Sequence, residues 1–221
     1  MSEKPTLEFC KSSDPRYQEI RDRHYVPNKG AQGQQLHFII HYKGQVAGII
    51  SAASSVYAVK NRDDFFKIPK DKEQRQKYFL PAIVNNSVFR LELHEKNLAT
   101  KVLARWRVVV KELWKKFYGV DVIGFETFVI ETDTRKGCLY LADNWTMVGM
   151  TSGNAKAHAK GGMTGKHFRQ ETEKKIIYCK KINGNILTKP YVSSWRAVTP
   201  EEKARAKDLS KLRQSLIGRI F

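Results

Sequence analysis

The sequence predicts an α/β fold with a basic C-terminal appendage, and three observations lead there. A strand–helix–strand unit lies at the centre. A β-hairpin precedes it, and positive charge accumulates after it. The unit begins with "VFRLEL" at 88–93, which alternates as a strand. It continues through "NLATKVLARWRVVVKELWKKFYG" and ends in the near-continuous apolar run "VDVIGFETF". Such a run suits a strand covered on both faces, and two strands joined through a helix favour a parallel pair with a right-handed crossover.

In chain order, "YQEIRDRHY" reads as a short helix stopping before Pro27, and "VPNKGAQGQQ" as a loop. Strands near 36–42 and 45–52 flank Lys43-Gly44 as a hairpin. Residues 60–80 are mostly charged and read as a surface loop. The central helix has Asn97 as N-cap and Gly119 as its stop, with Leu98, Val102, Trp106, Val109, Leu113 and Phe117 on one face. Beyond it, "GCLYLADNW" reads as a short helix, and "WTMVGMTS" and "KIIYCKKI" as strands. "GNAKAHAKGGMTGKHFRQ" is Gly-rich and basic and reads as a mobile loop. Thr199 with Glu202 three residues on forms a capping box that opens a C-terminal helix. The expected division is a core over 1–155 and a basic loop, strand and helix over 156–221.

Forty Lys+Arg against 22 Asp+Glu give a net charge of +18. Residues 149–221 carry sixteen Lys+Arg and five Asp+Glu, a balance of +11. A field of that size draws polyanions, which makes double-stranded DNA the expected partner. Lys156, Lys160, Lys166, Arg169, Lys174 and Lys175 are the expected phosphate contacts, joined by the basic residues of the C-terminal helix. A homodimer suits DNA binding, although no residue pattern demands one. No run reaches the length of a membrane span, and the N-terminus has no signal-peptide pattern. Cys10, Cys138 and Cys179 are odd in number and lack metal-ligand spacing, so a reducing, cytoplasmic setting is expected.

The element order matches that of the acyl-CoA N-acyltransferase (GNAT-like) fold, a mixed central sheet flanked by helices. "RDRHY" before the hairpin, "RLEL" before the long helix and "GCLYLADNWTMVGMT" after the last core strand resemble the phage Mom DNA-modification family. That resemblance implies transfer of a carbamoylmethyl-type group to adenine in DNA, protecting it from restriction. "IVNNSVFRLEL", "NLATKVLARW" and "YGVDVIGFETFV" are also similar to an uncharacterised domain of transposon-related and anti-phage defence proteins. Ordinary acetyltransferases hold their cofactor's pyrophosphate with a glycine-rich loop before the long helix. "HEKNLA" at 94–99 has no glycine, which argues against an acyl-CoA-type donor.

On this reading His24 is a candidate general base or metal ligand, against the plain role of a histidine at a helix C-terminus. Glu126 closes an apolar run, where a charge is costly unless it is paired or lies at the open carboxyl end of a strand. It is a candidate catalytic partner of His24, with a salt bridge to Arg90 as the alternative. The resemblance gives Tyr140 the role of acid, or of metal ligand, against that of a core tyrosine with a satisfied hydroxyl. His24, Glu126 and Tyr140 form a mixed N/O set suited to iron, the metal the Mom resemblance implies. Tyr25, Asn85, Asn86, Arg90, Asn144 and Trp145 complete the expected substrate contacts, although Asn-Asn-Ser at 85–87 also reads as a turn and Trp145 as core. A non-catalytic DNA-binding module is the rival from another class.

Overall fold

The computed structural model describes residues 3–26, 33–133, 135–158, 167–171, 173–191 and 199–221. Its strands are β1 (Thr6–Cys10), β2 (Gln35–Tyr42), β3 (Gln45–Ser54), β4 (Ile83–Leu91), β5 (Gly124–Ile130), β6 (Thr146–Met150), β7 (Asn154–His158), β8 (His167–Glu171) and β9 (Lys175–Lys181). The helices are α1 (Pro15–Asp22), α2 (Lys60–Phe66), α3 (Lys72–Gln74), α4 (Leu98–Tyr118), α5 (Cys138–Ala142) and α6 (Pro200–Ser215). Seven strands form one sheet in the order β1-β2-β3-β4-β5-β9-β6, and β7 pairs with β8 separately. Among the described residues of the main sheet, only β4 and β5 run parallel. The crossover through α4 makes that pairing necessary, because two parallel neighbours cannot be joined by a tight turn.

The β2–β3 hairpin forms where expected. Lys43 and Gly44 both take positive φ, 52° and 72°, the pair of left-handed residues that a two-residue turn between twisted strands requires. Helix α4 buries all six residues of the anticipated stripe, together with Leu103, Val110 and Trp114. Each large apolar side chain so buried contributes about 1.5–3 kcal/mol. Gly119 ends the helix in the left-handed conformation, its N–H bonded to the Lys115 carbonyl at 2.8 Å. Asn97 does precede the helix, but with φ +63° and without a side-chain cap bond. The capping box between Thr199 and Glu202 forms fully at the start of α6.

Several expectations need correction. Residues 60–80 are not an open loop. They form α2, α3 and a π-helical turn (Arg75–Phe79), and two of the four charged residues of α2 are buried: Arg62 lies entirely buried between Asp63 and Glu126. Charged residues that satisfy one another inside the fold look, in sequence, like solvated ones. The 154–171 stretch contains the β7–β8 pair rather than only loop, with 159–166 outside the described residues. Asn85-Asn86-Ser87 lies within β4, not in a turn before it.

The expected boundary at 155 lies within β7, and the main sheet takes strands from both sides of it. Strand β9 inserts between β5 and β6, pairing seven residues with β5. Residues 218–221 lie along the outer edge of β1, with Phe9 N–H on the Arg219 carbonyl at 2.9 Å and Leu7 N–H on the Phe221 carbonyl at 3.0 Å. The C-terminal third therefore completes the core and covers an edge that would otherwise present unpaired backbone groups.

Two layers cover the sheet. Helix α4 packs on one face through Trp106, Trp114 and Phe117, against Phe38, Ile50, Val84 and Phe125. Helices α1 and α2 cover the other, with Tyr17 and Ile20 against Ile39 and Ile49, and Phe66 against Ile83 and Cys179. No helix among the described residues is long and apolar enough to cross a membrane.

Candidate functional site

Strands β4 and β5 separate soon after they meet. Only Ile83, Val84 and Asn85 pair with Gly124, Phe125 and Glu126; β4 then continues to Leu91 and β5 to Ile130 without a further described pair. A register shift against β3 falls at the same level, where Ala52 faces Asn86 and Ser51 faces Val88, leaving Ser87 as an extra residue. Such a bulge bends a strand away from its neighbour. The sheet opens at the carboxyl ends of its two parallel strands, where binding sites form in α/β sheets.

Side chains bridge the opening where the ladder stops. The Thr127 hydroxyl donates to the Asn86 carbonyl at 3.0 Å, and the Tyr140 hydroxyl donates to Asn86 Oδ1 at 2.8 Å. The Asn86 amide nitrogen donates in turn to the Ser51 carbonyl at 3.1 Å. Helix α5 delivers Tyr140 to this point. Gly137 precedes it with φ +70°, and a Cβ there would meet the Tyr178 ring at 2.5 Å, so only glycine lets α5 approach β9 this closely. An Arg107–Asp143 ion pair fastens the far end of α5 to α4. Burial pushes the Tyr140 hydroxyl far above its usual pKa. The hydroxyl is therefore held in its neutral form, donating to Asn86.

His24 and Tyr25 sit at the rim. Their rings stack at 4.5 Å with 25° between planes. His24 Nδ1 accepts the Val26 N–H at 3.1 Å, which in the neutral ring leaves the proton on Nε2. Burial, followed by the nearby Arg21 charge, lowers the His24 pKa to about 4. Burial thus favours the neutral ring, with Nδ1 engaged by the backbone at the end of α1.

Glu126 departs furthest from expectation. It lies near the start of β5, with four strand residues beyond it, and is fully buried. Its carboxylate accepts from the Val56 N–H at 2.9 Å and pairs with Arg62, not with Arg90. Burial pushes the carboxyl above its usual range, while Arg62 and the Val56 N–H pull it back toward the ionised form. Successive strand residues point to opposite faces. Thr127 reaches Tyr140 on the α4 face, so Glu126 points to the α2 face and cannot share a substrate or a metal with Tyr140.

The expected iron set is therefore not assembled. Among the described residues, no group of three or more His, Cys, Asp or Glu is placed to hold a metal.

The other candidates divide. Arg90 pairs with Glu92 at 2.6 Å and donates to the Arg23 carbonyl at 2.6 Å, close to His24. Asn85 sits beside Glu126 across the ladder, its Oδ1 buried without a partner. Trp145 is core, stacked edge-on to Tyr140 at 5.1 Å, with its indole N–H on Asp143 at 2.7 Å. Asn144 is an exposed left-handed turn residue, φ 58°. Lys160 and Lys166 lie outside the described residues. Lys156 and Arg169 are register partners in the β7–β8 pair, and Lys174 and Lys175 enter β9. Sequence reasoning missed Arg62 and Arg135. The first was hidden in a charged segment. The second lies in a polar loop, where only proximity in space shows its guanidinium 3.8 Å from the Tyr25 ring centroid.

At the N-terminus of α4, Leu98 N–H bonds the Glu95 carbonyl at 3.1 Å, and Glu95 pairs with Lys43 at 2.7 Å.

The family model for Druantia protein DruA matches residues 4–184. The chain belongs to the DruA family. A search of curated proteins returns no match. Among solved structures, a Bacillus subtilis acetyltransferase in complex with CoA superposes on this DruA family member with a TM-score of 0.50 at 7% identity, over 82% of this chain and all of that one (100%). Arabidopsis thaliana NAA60 with a bisubstrate analogue gives 0.47 at 14% identity, over 80% of this chain and 98% of that one. The microcin C7 self-immunity acetyltransferase MccE, solved with acetyl-CoA and AMP, gives 0.39 at 17% identity over 67% of this chain, which spans 61% of that protein's length. At these identities the likeness is one of fold: a mixed sheet flanked by helices, as in GNAT acetyltransferases.

Proposed function

We propose that this DruA family member is a transferase that acts on DNA, with the β4–β5 opening as its reaction cleft. The observation that carries the reading is the opening itself: a protonated tyrosine, Tyr140, spans it, and an exposed tyrosine stands at a rim rich in arginine. The acceptor is the N6 amine of adenine and the group a carbamoylmethyl-type unit, as the Mom resemblance implies. In an anti-phage system such as Druantia, a base mark of this kind would protect DNA from restriction. N6 forms a bond to the donor carbon and releases a proton to water. The bond from that carbon to its leaving group breaks, and the leaving group takes a proton from Tyr140, which water restores. An acyl-CoA-type donor is supported by the CoA-bound neighbour of like fold and opposed by the glycine-free start of α4. No metal enters the scheme, because the residues expected to bind iron do not come together.

Expression in a restriction-negative bacterium, followed by nucleoside mass spectrometry of total DNA, tests the reading. A heavier deoxyadenosine that disappears with Tyr140→Phe is the expected result, and its added mass identifies the group. Unmodified DNA in every host tried, from protein that binds DNA, would sink it. That outcome favours the second reading, a non-catalytic DNA-binding module, which has its own support: the Tyr140 hydroxyl and His24 Nδ1 are both engaged within the fold.

A further inference from the structure

We propose that Tyr25 and Arg135 form a clamp that takes one unpaired nucleobase between them, selecting unstacked nucleotides over intact duplex. The proposal rests on the reading of the chain as DNA-directed and adds how the nucleic acid is gripped.

Tyr25 is 37% exposed although its neighbour His24 is buried. One face of its ring is backed by the His24 imidazole, stacked at 4.5 Å. Val26 locks that backing in place: its N–H binds His24 Nδ1, and its carbonyl accepts from Arg21 at 2.8 Å. Arg135 also packs over the ring, its guanidinium carbon 3.8 Å from the ring centroid. The two walls come from different parts of the chain. Tyr25 follows α1, while Arg135 stands in a turn between β5 and α5, closed by reciprocal backbone bonds of 3.1 Å with Thr132.

A planar base fits between such walls by lifting the flexible arginine and stacking on the fixed tyrosine. Aromatic and guanidinium planes hold bases in this way with little regard to sequence. Bases within a duplex present no free face, so the clamp selects extruded or single-stranded nucleotides. Arg21, Arg90 and Arg135 all lie near enough to depress the His24 pKa, so the same corner carries the positive field that attracts the adjoining phosphates. Arg90, near the end of β4, donates to the Arg23 carbonyl at 2.6 Å, which ties the chain before Tyr25 to a strand that borders the β4–β5 opening.

The test compares binding of a 2-aminopurine-labelled single-stranded oligonucleotide with binding of the fully paired duplex, for wild type, Tyr25→Ala, Tyr25→Phe, Arg135→Ala and Arg135→Lys. Stacking predicts quenched 2-aminopurine emission with wild type. It also predicts about a tenfold loss of single-strand affinity in Tyr25→Ala, equivalent to about 1.4 kcal/mol. Tyr25→Phe retains the affinity because the ring remains, and duplex affinity changes less than twofold in both Tyr25 variants. Arg135→Lys falls short of wild type because an ammonium offers no plane. Thermal melting establishes that each variant is folded. Unchanged single-strand affinity in folded Tyr25→Ala overturns the clamp, as does an equal loss for single strand and duplex. Nucleoside analysis separates the two readings. Modified DNA with a failed clamp leaves the transferase standing, and a working clamp with unmodified DNA leaves the clamp standing without it.

Discussion

Glu126 of β5 and Arg62 of α2 form an ion pair from which solvent is wholly excluded, each side chain having no exposed surface. The pair continues through Asp63, which bonds Arg62 at 2.7 Å and Arg75 at 2.7 Å, so four alternating charges run from the centre of the sheet to its surface. Removing one member strands a buried charge, which costs about 3–5 kcal/mol, whereas replacing both by apolar groups of similar size is often tolerated. Arg62→Ala and Glu126→Ala are expected to lose stability by that amount, and the double variant Arg62→Met with Glu126→Leu to recover most of it. Urea denaturation measures all three. If Glu126→Ala keeps full stability, the network is not structural.

Tyr140→Phe removes the donor that satisfies the buried Asn86 Oδ1. An unsatisfied buried acceptor costs about 1–3 kcal/mol. The variant should therefore lose stability in that range while losing base modification by at least about a hundredfold, the usual scale for a positioned acid. Denaturant midpoints and modified-nucleoside yield, measured on the same preparation, separate the two effects. A stability loss with full modification would remove Tyr140 from the chemistry.

Acid should weaken the fold through two histidines. Burial lowers both His24 and His37 to about 4, below their ordinary value near 6.5. The unfolded chain therefore binds protons that the folded chain refuses between those values. The stability they contribute is fully present above about pH 6.5 and is lost as pH falls through 4. His37 touches the Tyr17 and Ser51 hydroxyls at 3.2 and 3.1 Å, contacts that a glutamine can partly keep. Thermal melting from pH 7 to 4 should show a shallower decline in His37→Gln than in wild type; parallel curves would refute this assignment.

Lys203, Lys207 and Lys211 recur every four residues on α6 and are all exposed. If this face meets the DNA backbone, replacing all three by glutamate weakens binding and lowers the slope of log affinity against log salt by about 0.9 for each phosphate no longer neutralised. Titrations at several salt concentrations read the slope, and an unchanged slope would place the DNA elsewhere.

The fold was legible wherever local chemistry dictates structure. The stripe of α4, the Lys43-Gly44 turn and the Thr199 box are short-range patterns, and each forms as read. The site was less legible, because its parts meet only through the sheet. Glu126 looked like a strand-end carboxylate because nothing in its own stretch reveals Arg62, sixty-four residues earlier. The Val26 N–H that engages His24 Nδ1 was hidden because it depends on the chain's turn after α1. Asn86 and Tyr140 were both singled out, yet their mutual bond rests on a β4–β5 separation that no spacing rule predicts.

The insertion of β9 between β5 and β6 also bears on synthesis. As the chain leaves the ribosome, "GFETFVI" of β5 has one neighbour and one bare edge until residues 175–181 emerge, after forty-four intervening residues. For that interval an apolar strand is open to pairing with any other chain nearby, the condition that invites aggregation and chaperone capture. A fragment cut at residue 155 would never close that edge, so it should come out of cells as inclusion bodies instead of as an independent folding unit.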